Sequence, residues 1–228
     1  MGRKLLQINV TANWGSTGRI VEEIGVAAIN AGWESYIAYG RQCNTGKSQL
    51  IKIGSQVDVY RHVLLTKLFD WHGLASKHAT REFVSIIEDL RPDLVHLHNI
   101  HGYYLNYPVL FDFLNGLRIP VVWTLHDCWA FTGHCAYFSS IGCDKWKEKC
   151  GDCQLLSSYP ASWFDNSIKN LALKKHYFGE CHDMTLVPVS DWLRGLVSES
   201  FLAKHDMQTI HNGTDISVFK PGRLNNSG

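Results

Sequence analysis

The sequence predicts an α/β fold of the Rossmann-like class, in which a parallel β-sheet carries helices on both faces. Short runs of apolar and β-branched residues alternate with amphipathic segments of about ten to fifteen residues, which is the pattern of right-handed β-α-β units. Polar residues are concentrated directly after the apolar runs, where sheets of this class bind ligands. The chain has 228 residues, 45% of them hydrophobic, and this is enough for one sizeable core.

Seven apolar runs are the predicted strands, because buried parallel strands read as continuous apolar runs rather than as alternating patterns. They cover residues 4–10, 35–39, 51–53, 94–98, 120–125, 184–189 and 208–211. The run at 120–125 is rich in β-branched residues, which favour strands. The spacing of these runs leaves room for a helix in most of the connections between them.

Six segments have the apolar spacing of helices. They cover residues 18–31, 57–69, 83–90, 109–114, 167–178 and 191–201. In the first of them, Ser16 or Thr17 is the predicted N-cap and Gly32 ends the helix. Glu22 and Glu23 lie in its early turns, where the positive end of the helix dipole favours carboxylates.

We expect one domain over residues 1–222 and a tail at 223–228 that begins a truncated interdomain linker. The domain includes an irregular insertion at 128–164, where the periodicity disappears. The formal net charge of +1 leaves no basic surplus for a polyanion, which excludes nucleic acid as a partner. No apolar run approaches the ~20 residues that span a bilayer, and polar Gln7 and Asn9 interrupt the N-terminal run, so the sequence predicts a cytoplasmic protein.

Two glycine-containing loops are candidates for a phosphate site, and one of them keeps this interpretation. The first loop consists of Gly15, Ser16, Thr17, Gly18 and Arg19. It stands at the start of the first helix, where backbone N–H groups and the helix dipole favour phosphate, although its spacing differs from the motif G-x-G-x-x-G and an ordinary capped turn is the alternative. The second loop, at 40–48, ends like a Walker loop but has one residue too many and no apolar helix behind it. We therefore interpret the second loop as a solvated connection.

Histidines cluster after the strand at 94–98 and after the strand at 120–125. The polar residues there include His98, Asn99, His101, Tyr103, His126 and Asp127. Histidine and carboxylate side chains are the usual ligands of the metal ion in a metal-dependent hydrolase, and such a hydrolase is one hypothesis for the function. Its site would consist of His98, His101, His126 and Asp127. Without a divalent ion, the same side chains are hydrogen-bonding groups around a polyhydroxylated ligand. His96 lies inside an apolar strand and is interpreted as a core histidine.

The insertion contains four of the seven cysteines, Cys135, Cys143, Cys150 and Cys153. A Cys-x-x-Cys pair with two upstream thiols can close a structural zinc site, and two reducible disulfides or buried thiols are the alternatives. A zinc-organised partner-binding module is a further hypothesis for the function. The insertion is also dense in aromatic residues, which predict a small satellite core. A stacking platform for a sugar or a lipid is the alternative.

The polar segments together resemble the N-terminal domain of glycosyltransferase family 4, in particular that of members that build bacterial polysaccharides. These are retaining enzymes with two Rossmann-like halves, an architecture known as GT-B. The resemblance rests on the segments at 15–19, 92–102, 124–127 and 189–193, and on Asn212, Gly213, Thr214, Asp215, Phe219 and Pro221. The cysteine-bearing insertion is similar to that of one polysaccharide-associated branch.

This resemblance implies that the chain receives an acceptor, while a C-terminal donor domain grips the nucleotide of a nucleotide-sugar. The donor diphosphate would approach Gly15, Ser16, Thr17, Gly18 and Arg19. His126 would hydrogen-bond the transferred sugar, and with Asp127 it forms the implied catalytic pair. A glycan or lipid-linked acceptor would contact His98, Asn99, His101 and Tyr103. The transfer would retain the configuration of the sugar without a catalytic cofactor, and a lipid-linked acceptor implies peripheral association with the inner face of the membrane.

The sequence departs from the family pattern after Pro221, where the family crosses into its donor domain. We therefore expect the chain to be an N-terminal half that binds a sugar nucleotide weakly. By itself it is expected to transfer nothing measurable. Turnover by the purified chain at the rate of an intact two-domain enzyme would contradict this expectation.

Overall fold

Seven parallel strands form a single sheet in the computed structural model, which describes residues 2–117 and 119–213. The strands are β1 (Lys4–Asn9), β2 (Glu34–Tyr39), β3 (Gln49–Lys52), β4 (Leu94–Leu97), β5 (Val121–Leu125), β6 (Met184–Pro188) and β7 (Asp206–Met207). Their order across the sheet is β3-β2-β1-β4-β5-β6-β7. This confirms the predicted parallel sheet.

Helices occupy most of the connections between the strands. They are α1 (Gly15–Asn30), α2 (Gln56–Phe69), α3 (Lys77–Leu90), α4 (Tyr107–Gly116), α5 (Ser167–Gly179) and α6 (Asp191–Ser198). From β1 the chain moves one way across the sheet to β3, and from β4 it moves the other way to β7. Right-handed crossovers therefore place α1 on one face and α3, α4 and α5 on the other, so the Rossmann-like α/β fold is confirmed.

The larger core lies between the β4–β6 part of the sheet and the helices that cover it. Phe83, Phe111, Trp123 and Phe178 are buried there, with the rings of Trp123 and Phe178 4.9 Å apart. Burial of one such side chain contributes about 1.5–3 kcal/mol. This core holds the central strands rigidly, and the residues that follow those strands are placed by it.

The start of α1 differs from the prediction. The N-cap is Trp14, which makes no side-chain capping hydrogen bond, and Ser16 and Thr17 lie inside the first turn. The capping prediction is wrong because the N–H of Asn13 bonds to the carbonyl of Gly18 at 2.9 Å, which winds the chain into the helix before Gly18. The expected end at Gly32 is confirmed by a residue with φ +84° directly after the cap residue Ala31.

Two other expectations concern the edges of the sheet. The last strand is β7 at Asp206–Met207, so the expectation of a strand at 208–211 is wrong, although the N–H groups of Gln208 and Ile210 still bond to carbonyls of β6. The loop at 40–48 is irregular and leads into β3, as expected for a connection that is not a Walker loop. Thr214, Asp215, Phe219, Pro221 and the predicted domain end at 222 lie outside the described residues. Within 2–117 and 119–213, every helix is too short or too polar to span a bilayer.

Candidate functional site

The carboxyl ends of β1 and β4 form the switch point of the sheet. The two strands are neighbours, with Ile8 opposite Leu97, and the chain leaves them in opposite directions. Ligand crevices of open α/β sheets lie at such a point. The end of β5 lies two strands from the end of β1, a separation of about 10 Å. The loop that starts α1 and His126 are therefore on the same edge of the sheet.

Asn9 links the loops that follow β1 and β4. It is fully buried at the end of β1, and its Oδ1 accepts a hydrogen bond from the N–H of Asn99 at 3.2 Å. Its Nδ2 donates to the carbonyl of Thr11 at 2.8 Å and reaches Oγ1 of Thr17 at 3.4 Å. Asn9 thus holds both Thr17, predicted to bind the donor substrate, and Asn99, predicted to bind the acceptor substrate. Asn9 itself was not among the predicted site residues.

The first turn of α1 is open to an anion. Gly15, Ser16 and Arg19 are exposed, the first turn carries no carboxylate, and the cap residue Trp14 offers no side-chain acceptor. The first N–H groups of a helix have no intrahelical partners, so those of α1 can receive a ligand. The geometry fits the predicted phosphate loop, and the role itself stays a prediction.

Gly18 allows this turn to pack closely against the loop after β1. A Cβ at Gly18 would lie 2.7 Å from Oγ1 of Thr11, which donates to the carbonyl of Trp14 at 2.8 Å. We expect Gly18→Ala to lower the free energy of unfolding by about 1–3 kcal/mol, because Thr11 must give up its position. Gly195→Ala is the matched control in α6, where a Cβ meets nothing within 4 Å, and it should stabilise by about 0.5–1 kcal/mol. Urea unfolding of both variants measures this difference, and equal effects would contradict it.

Three histidines form a stack across β4 and the end of β5. The ring of His98 lies 4.1 Å from that of His96 and 5.5 Å from that of His126, and Nδ1 of His98 is 3.2 Å from Nε2 of His126. Nε2 of His96 is hydrogen-bonded to Oγ1 of Thr124 at 2.8 Å, which confirms that His96 is a core histidine. His98 is 1% exposed, so almost none of its surface is left for an acceptor.

Burial makes these imidazoles neutral at physiological pH. Burial and the neighbouring His126 lower the pKa of His96 to about 4. Burial also lowers the pKa of His126 to about 4, although Asp127 opposes the shift, and it lowers the pKa of His98 well below its usual range. Each ring can therefore donate one hydrogen bond and accept one, as a hydroxyl ligand requires.

His101 lies between a carboxylate and a phenol. Its Nε2 is 2.9 Å from Oδ2 of Asp127, and its Nδ1 is 3.1 Å from Oη of Tyr159. Oδ1 of Asp127 accepts from the N–H of Trp129 at 2.9 Å. Burial by itself would raise the pKa of Asp127, but His101 and the Trp129 N–H lower it. The ionised Asp127 fixes the orientation of the His101 ring, because both of its oxygens are occupied by protein donors.

His72, Tyr159 and Arg41 complete the edge, and none of them was among the predicted site residues. The ring of buried His72 lies 4.8 Å from that of Tyr103 and 5.4 Å from that of Tyr159. Burial raises the pKa of both tyrosines, and the positive charge of Arg41 opposes this rise. Arg41 lies two residues after β2, in the loop at 40–48 that was interpreted as a solvated connection, so the rule that identified the other loops could have found it. His72 comes from the connection after α2, where no local signal marks it. Tyr159 belongs to the aromatic residues of the insertion, for which a stacking platform was the alternative interpretation.

The hydrolase hypothesis receives no support from this arrangement. Among the residues that the structure describes, no three His, Cys, Asp or Glu side chains are placed so that they could hold one metal ion. The nitrogens of His98 and His101 are directed at His126 and Asp127 rather than at a common point. The cavity at these residues encloses only about 10 Å³, about the size of one water. A sugar would therefore lie above the edge and not inside it.

The insertion extends the main core and rests on buried polar anchors. Trp129, Phe131, Phe138 and Trp146 are buried, but they belong to the same continuous cluster as Phe178, so the expectation of a separate satellite core is wrong. The ammonium of buried Lys174 donates to the carbonyls of Trp129 and Thr132 at 2.6 and 3.0 Å, and burial lowers its pKa to about 7. The remaining aromatic residues of the insertion are exposed, namely Tyr137, Tyr159, Trp163 and Phe164.

The four cysteines of the insertion line one cavity of about 260 Å³. The interaction between the thiols of Cys135 and Cys153 raises the pKa of Cys135 and lowers that of Cys153 to about 6. Sγ of Cys150 accepts from the N–H of Gly133 at 3.3 Å. Cys143 and the other three cysteines of the insertion are all free thiols. Among the described residues, no three of these thiols are placed so that they could hold one metal ion. The structural zinc stays a prediction.

The fold and the residues at the carboxyl edge of the sheet together define the class to which this domain belongs. It is a Rossmann-like α/β domain whose switch point has an open helix N-terminus, a row of neutral imidazoles and no dinucleotide fingerprint. Such an edge suits a ligand that carries phosphate and hydroxyl groups.

Comparison with known proteins narrows this class to a family. The model of Glycosyltransferase Family 4 matches residues 17–218, so the chain belongs to that family. The chain is also 27% identical over 188 residues to the putative colanic acid biosynthesis glycosyl transferase WcaC of Escherichia coli (strain K12). This match covers 77% of the chain and 45% of the relative, so the chain spans about half the length of the relative.

Proposed function

We propose that this chain is the acceptor-binding half of a retaining GT-B glycosyltransferase. The enzyme would move a sugar from a nucleotide-sugar to a glycan or lipid-linked acceptor in the biosynthesis of a bacterial polysaccharide. The family match and the likeness to a protein named for colanic acid biosynthesis support this proposal. A C-terminal donor domain, the nucleotide-sugar and the acceptor are its proposed partners.

In this proposal the first turn of α1 approaches the diphosphate of the donor. The N–H groups of Gly15, Ser16 and Thr17 would donate to phosphate oxygens, and Arg19 would add charge. These donors, with basic side chains of the donor domain, would stabilise the charge that develops on the leaving diphosphate. The backbone N–H groups are fixed by the fold before the ligand arrives, so they require no reorganisation during the reaction.

The neutral imidazole of His126 would hydrogen-bond a hydroxyl of the transferred sugar. Nε2 of His126 is engaged by His98 at 3.2 Å, so the sugar would meet Nδ1. His98 would act as a positioning residue beneath His126, because it is buried. Asp127 would likewise act through His101, whose ring it orients at 2.9 Å.

The acceptor would lie above Asn99, His101 and Tyr103. The hydrogen bonds that join Asn99 to Thr17 through Asn9 carry the proposal, because they fix the acceptor loop relative to the donor loop. A sugar hydroxyl bound at one loop would then meet the sugar carbon held at the other in a defined geometry. Such positioning is a main source of rate acceleration in two-substrate reactions.

Nuclear magnetic resonance of the isotope-labelled chain tests the donor half of the proposal. UDP-glucose and GDP-mannose are the probes, and we expect a Kd weaker than about 1 mM, with shifts in the amides of Ser16 and Thr17 and in the ring of His126. Arg19→Ala should weaken binding about tenfold, because it removes a charge-assisted phosphate contact. Arg194→Ala, an exposed arginine of α6, is the control. Shifts confined to another region, or equal losses in both variants, would refute the proposal.

A further inference from the structure

Tyr159 is a half-exposed aromatic side chain that is held in place at its hydroxyl end. Its Oη is hydrogen-bonded to Nδ1 of His101 at 3.1 Å and lies 3.4 Å from Nε2 of His72. Its ring meets that of Tyr103 edge to face, with 6.0 Å between the ring centres. Nevertheless Tyr159 is 46% exposed. An aromatic ring that is fixed at one end and open to solvent suits stacking against the apolar face of a sugar ring.

Arg41 belongs to a loop that packs on the predicted acceptor loop. A Cβ at Gly40 would overlap the ring of Tyr104, so the glycine lets the chain after β2 approach this ring closely. Oη of Tyr104 in turn donates to the carbonyl of Asn99 at 2.9 Å. The carbonyl of Arg41 accepts from Nζ of Lys52 at 2.9 Å, which fixes the backbone at this position. Arg41 therefore stands beside the residues that follow β4.

The guanidinium of Arg41 is available to a ligand. Arg41 is exposed, and within residues 2–117 and 119–213 no carboxylate forms an ion pair with it. Its positive charge opposes the rise that burial causes in the pKa of Tyr103 and of Tyr159, so the charge acts on the acceptor side of the edge. A guanidinium in this position can form a charge-assisted hydrogen bond with a carboxylate or a phosphate.

Asp127 is a carboxylate whose charge also reaches Tyr159, where it raises the pKa. Its Oδ2 is 2.9 Å from Nε2 of His101, and its Oδ1 accepts from the N–H of Trp129 at 2.9 Å. Both oxygens are thus engaged within the protein, and the side chain is almost completely buried. A ligand that stacks on Tyr159 would therefore meet the exposed guanidinium of Arg41 and not a free carboxylate.

We propose that Tyr159 and Arg41 form a subsite for an acidic sugar of the acceptor, that is, a sugar ring that carries a carboxylate or a phosphate. The sugar ring would stack on Tyr159, and its anionic group would meet the guanidinium of Arg41. A neutral sugar would leave this guanidinium without a partner. Because it takes the residues around Asn99 and His101 as the acceptor side, the inference rests on the proposed function, and it adds the chemical class of the acceptor.

The diphosphate of the donor is the other anion that the proposed reaction brings to this edge. Its proposed place is the first turn of α1, where backbone N–H groups and Arg19 would meet it. The two tyrosines on which the charge of Arg41 acts come instead from the loop after β4 and from the insertion. This placement favours the acceptor as the partner of Arg41.

Nuclear magnetic resonance titrations of the isotope-labelled chain with three monosaccharides test the inference. Methyl glucuronide carries a carboxylate, glucose 6-phosphate carries a phosphate, and methyl glucoside is the neutral match. At least one anionic probe should bind about tenfold more tightly than methyl glucoside, because a charge-assisted hydrogen bond is added. Binding should shift the Nε–H of Arg41 and the ring signals of Tyr159. The tighter of the two anionic probes identifies the anionic group that the subsite prefers.

Two arginine variants separate the charge from the fold. Arg41→Gln should abolish the tenfold preference and leave the Kd of methyl glucoside unchanged. Arg91→Gln is the matched control, because Arg91 is an exposed arginine just before β4, at the opposite edge of the sheet, and this variant should keep the preference. Both side chains are exposed, so both variants are expected to fold. Tyr159→Leu should weaken the binding of all three probes alike, because it removes the stacking surface.

Equal binding of neutral and anionic probes would overturn the inference, as would the absence of binding by all three or a preference that survives in Arg41→Gln. Anionic probes that shift the amides of Ser16 and Thr17 but not Tyr159 would also overturn it, because the anion would then lie at the donor loop. UDP-glucose separates this inference from the donor half of the proposed function. Binding of UDP-glucose at Ser16 and Thr17 without an anionic preference at Arg41 contradicts the inference alone, and the reverse result contradicts the donor half alone.

Discussion

Acidification from pH 6.5 to pH 4 is expected to destabilise this domain steeply, because the stacked histidines are neutral in the folded state. The pKa values of His96 and His126 are about 4 in the folded chain, against 6.5 for a free histidine. Between these values the unfolded chain binds protons that the folded chain does not, so the free energy of unfolding falls as the pH falls. Each of the two histidines is expected to remove about 3 kcal/mol across this range, and above pH 6.5 the stability returns.

A single variant isolates this effect from other buried groups. Burial also lowers the pKa of His62 to about 3 and that of His72, so the acid sensitivity of the whole chain has several sources. His126→Gln removes one of them and should flatten the dependence of the free energy of unfolding on pH by up to about 1.4 kcal/mol per pH unit. His182→Gln, an exposed histidine, is the control. Urea unfolding at several pH values measures both slopes, and identical slopes would show that His126 is not buried as a neutral ring.

The architecture could be predicted from the sequence because it depends on local patterns. Apolar runs and amphipathic segments repeat in an order that only a parallel sheet accommodates, and the polar residues after the runs then converge on one edge. The proximity of His98 and His126 follows from this logic, since β4 and β5 are neighbours. The burial of His98 does not follow, because it depends on how His96 and His126 stack around it.

Contacts between distant residues are the part that the sequence could not predict. The hydrogen bond between Asn9 and Asn99 joins positions 90 residues apart, and although Asn99 was a predicted acceptor residue, Asn9 inside the first strand did not stand out. The exposure of Trp163 was also out of reach. Trp163 was expected either to pack in a satellite core or to form a stacking platform, and it is exposed, with its backbone N–H bonded to the carbonyl of Lys67, 96 positions away. Periodicity describes one element at a time and therefore contains no information about such pairs.

The insertion should depend on one buried hydrogen bond between His134 and Asp70 more than on its cysteines. His134 and Asp70 are completely buried, and Nδ1 of His134 lies 2.6 Å from the carboxylate of Asp70. The same carboxylate accepts from Nδ2 of Asn170 at 3.0 Å and from the N–H of Asn166 at 3.2 Å. A single side chain at the end of α2 therefore holds the insertion and the start of α5, and through them the position of Tyr159 on the edge.

Asp70→Ala is expected to lower the free energy of unfolding by about 3 kcal/mol, because it leaves Nδ1 of buried His134 without an acceptor and removes the carboxylate bonds of Asn166 and Asn170, of which Asn170 keeps the carbonyl of residue 70. Asp144→Ala is the matched control, since this exposed carboxylate contacts Lys147 at 3.1 Å and its loss should cost less than about 1 kcal/mol. Urea unfolding compares the two variants, and near-ultraviolet circular dichroism reports on the tryptophans of the insertion. If Asp70→Ala retains the wild-type spectrum and costs no more than the control, the insertion is held by its apolar contacts and the buried pair has no structural role.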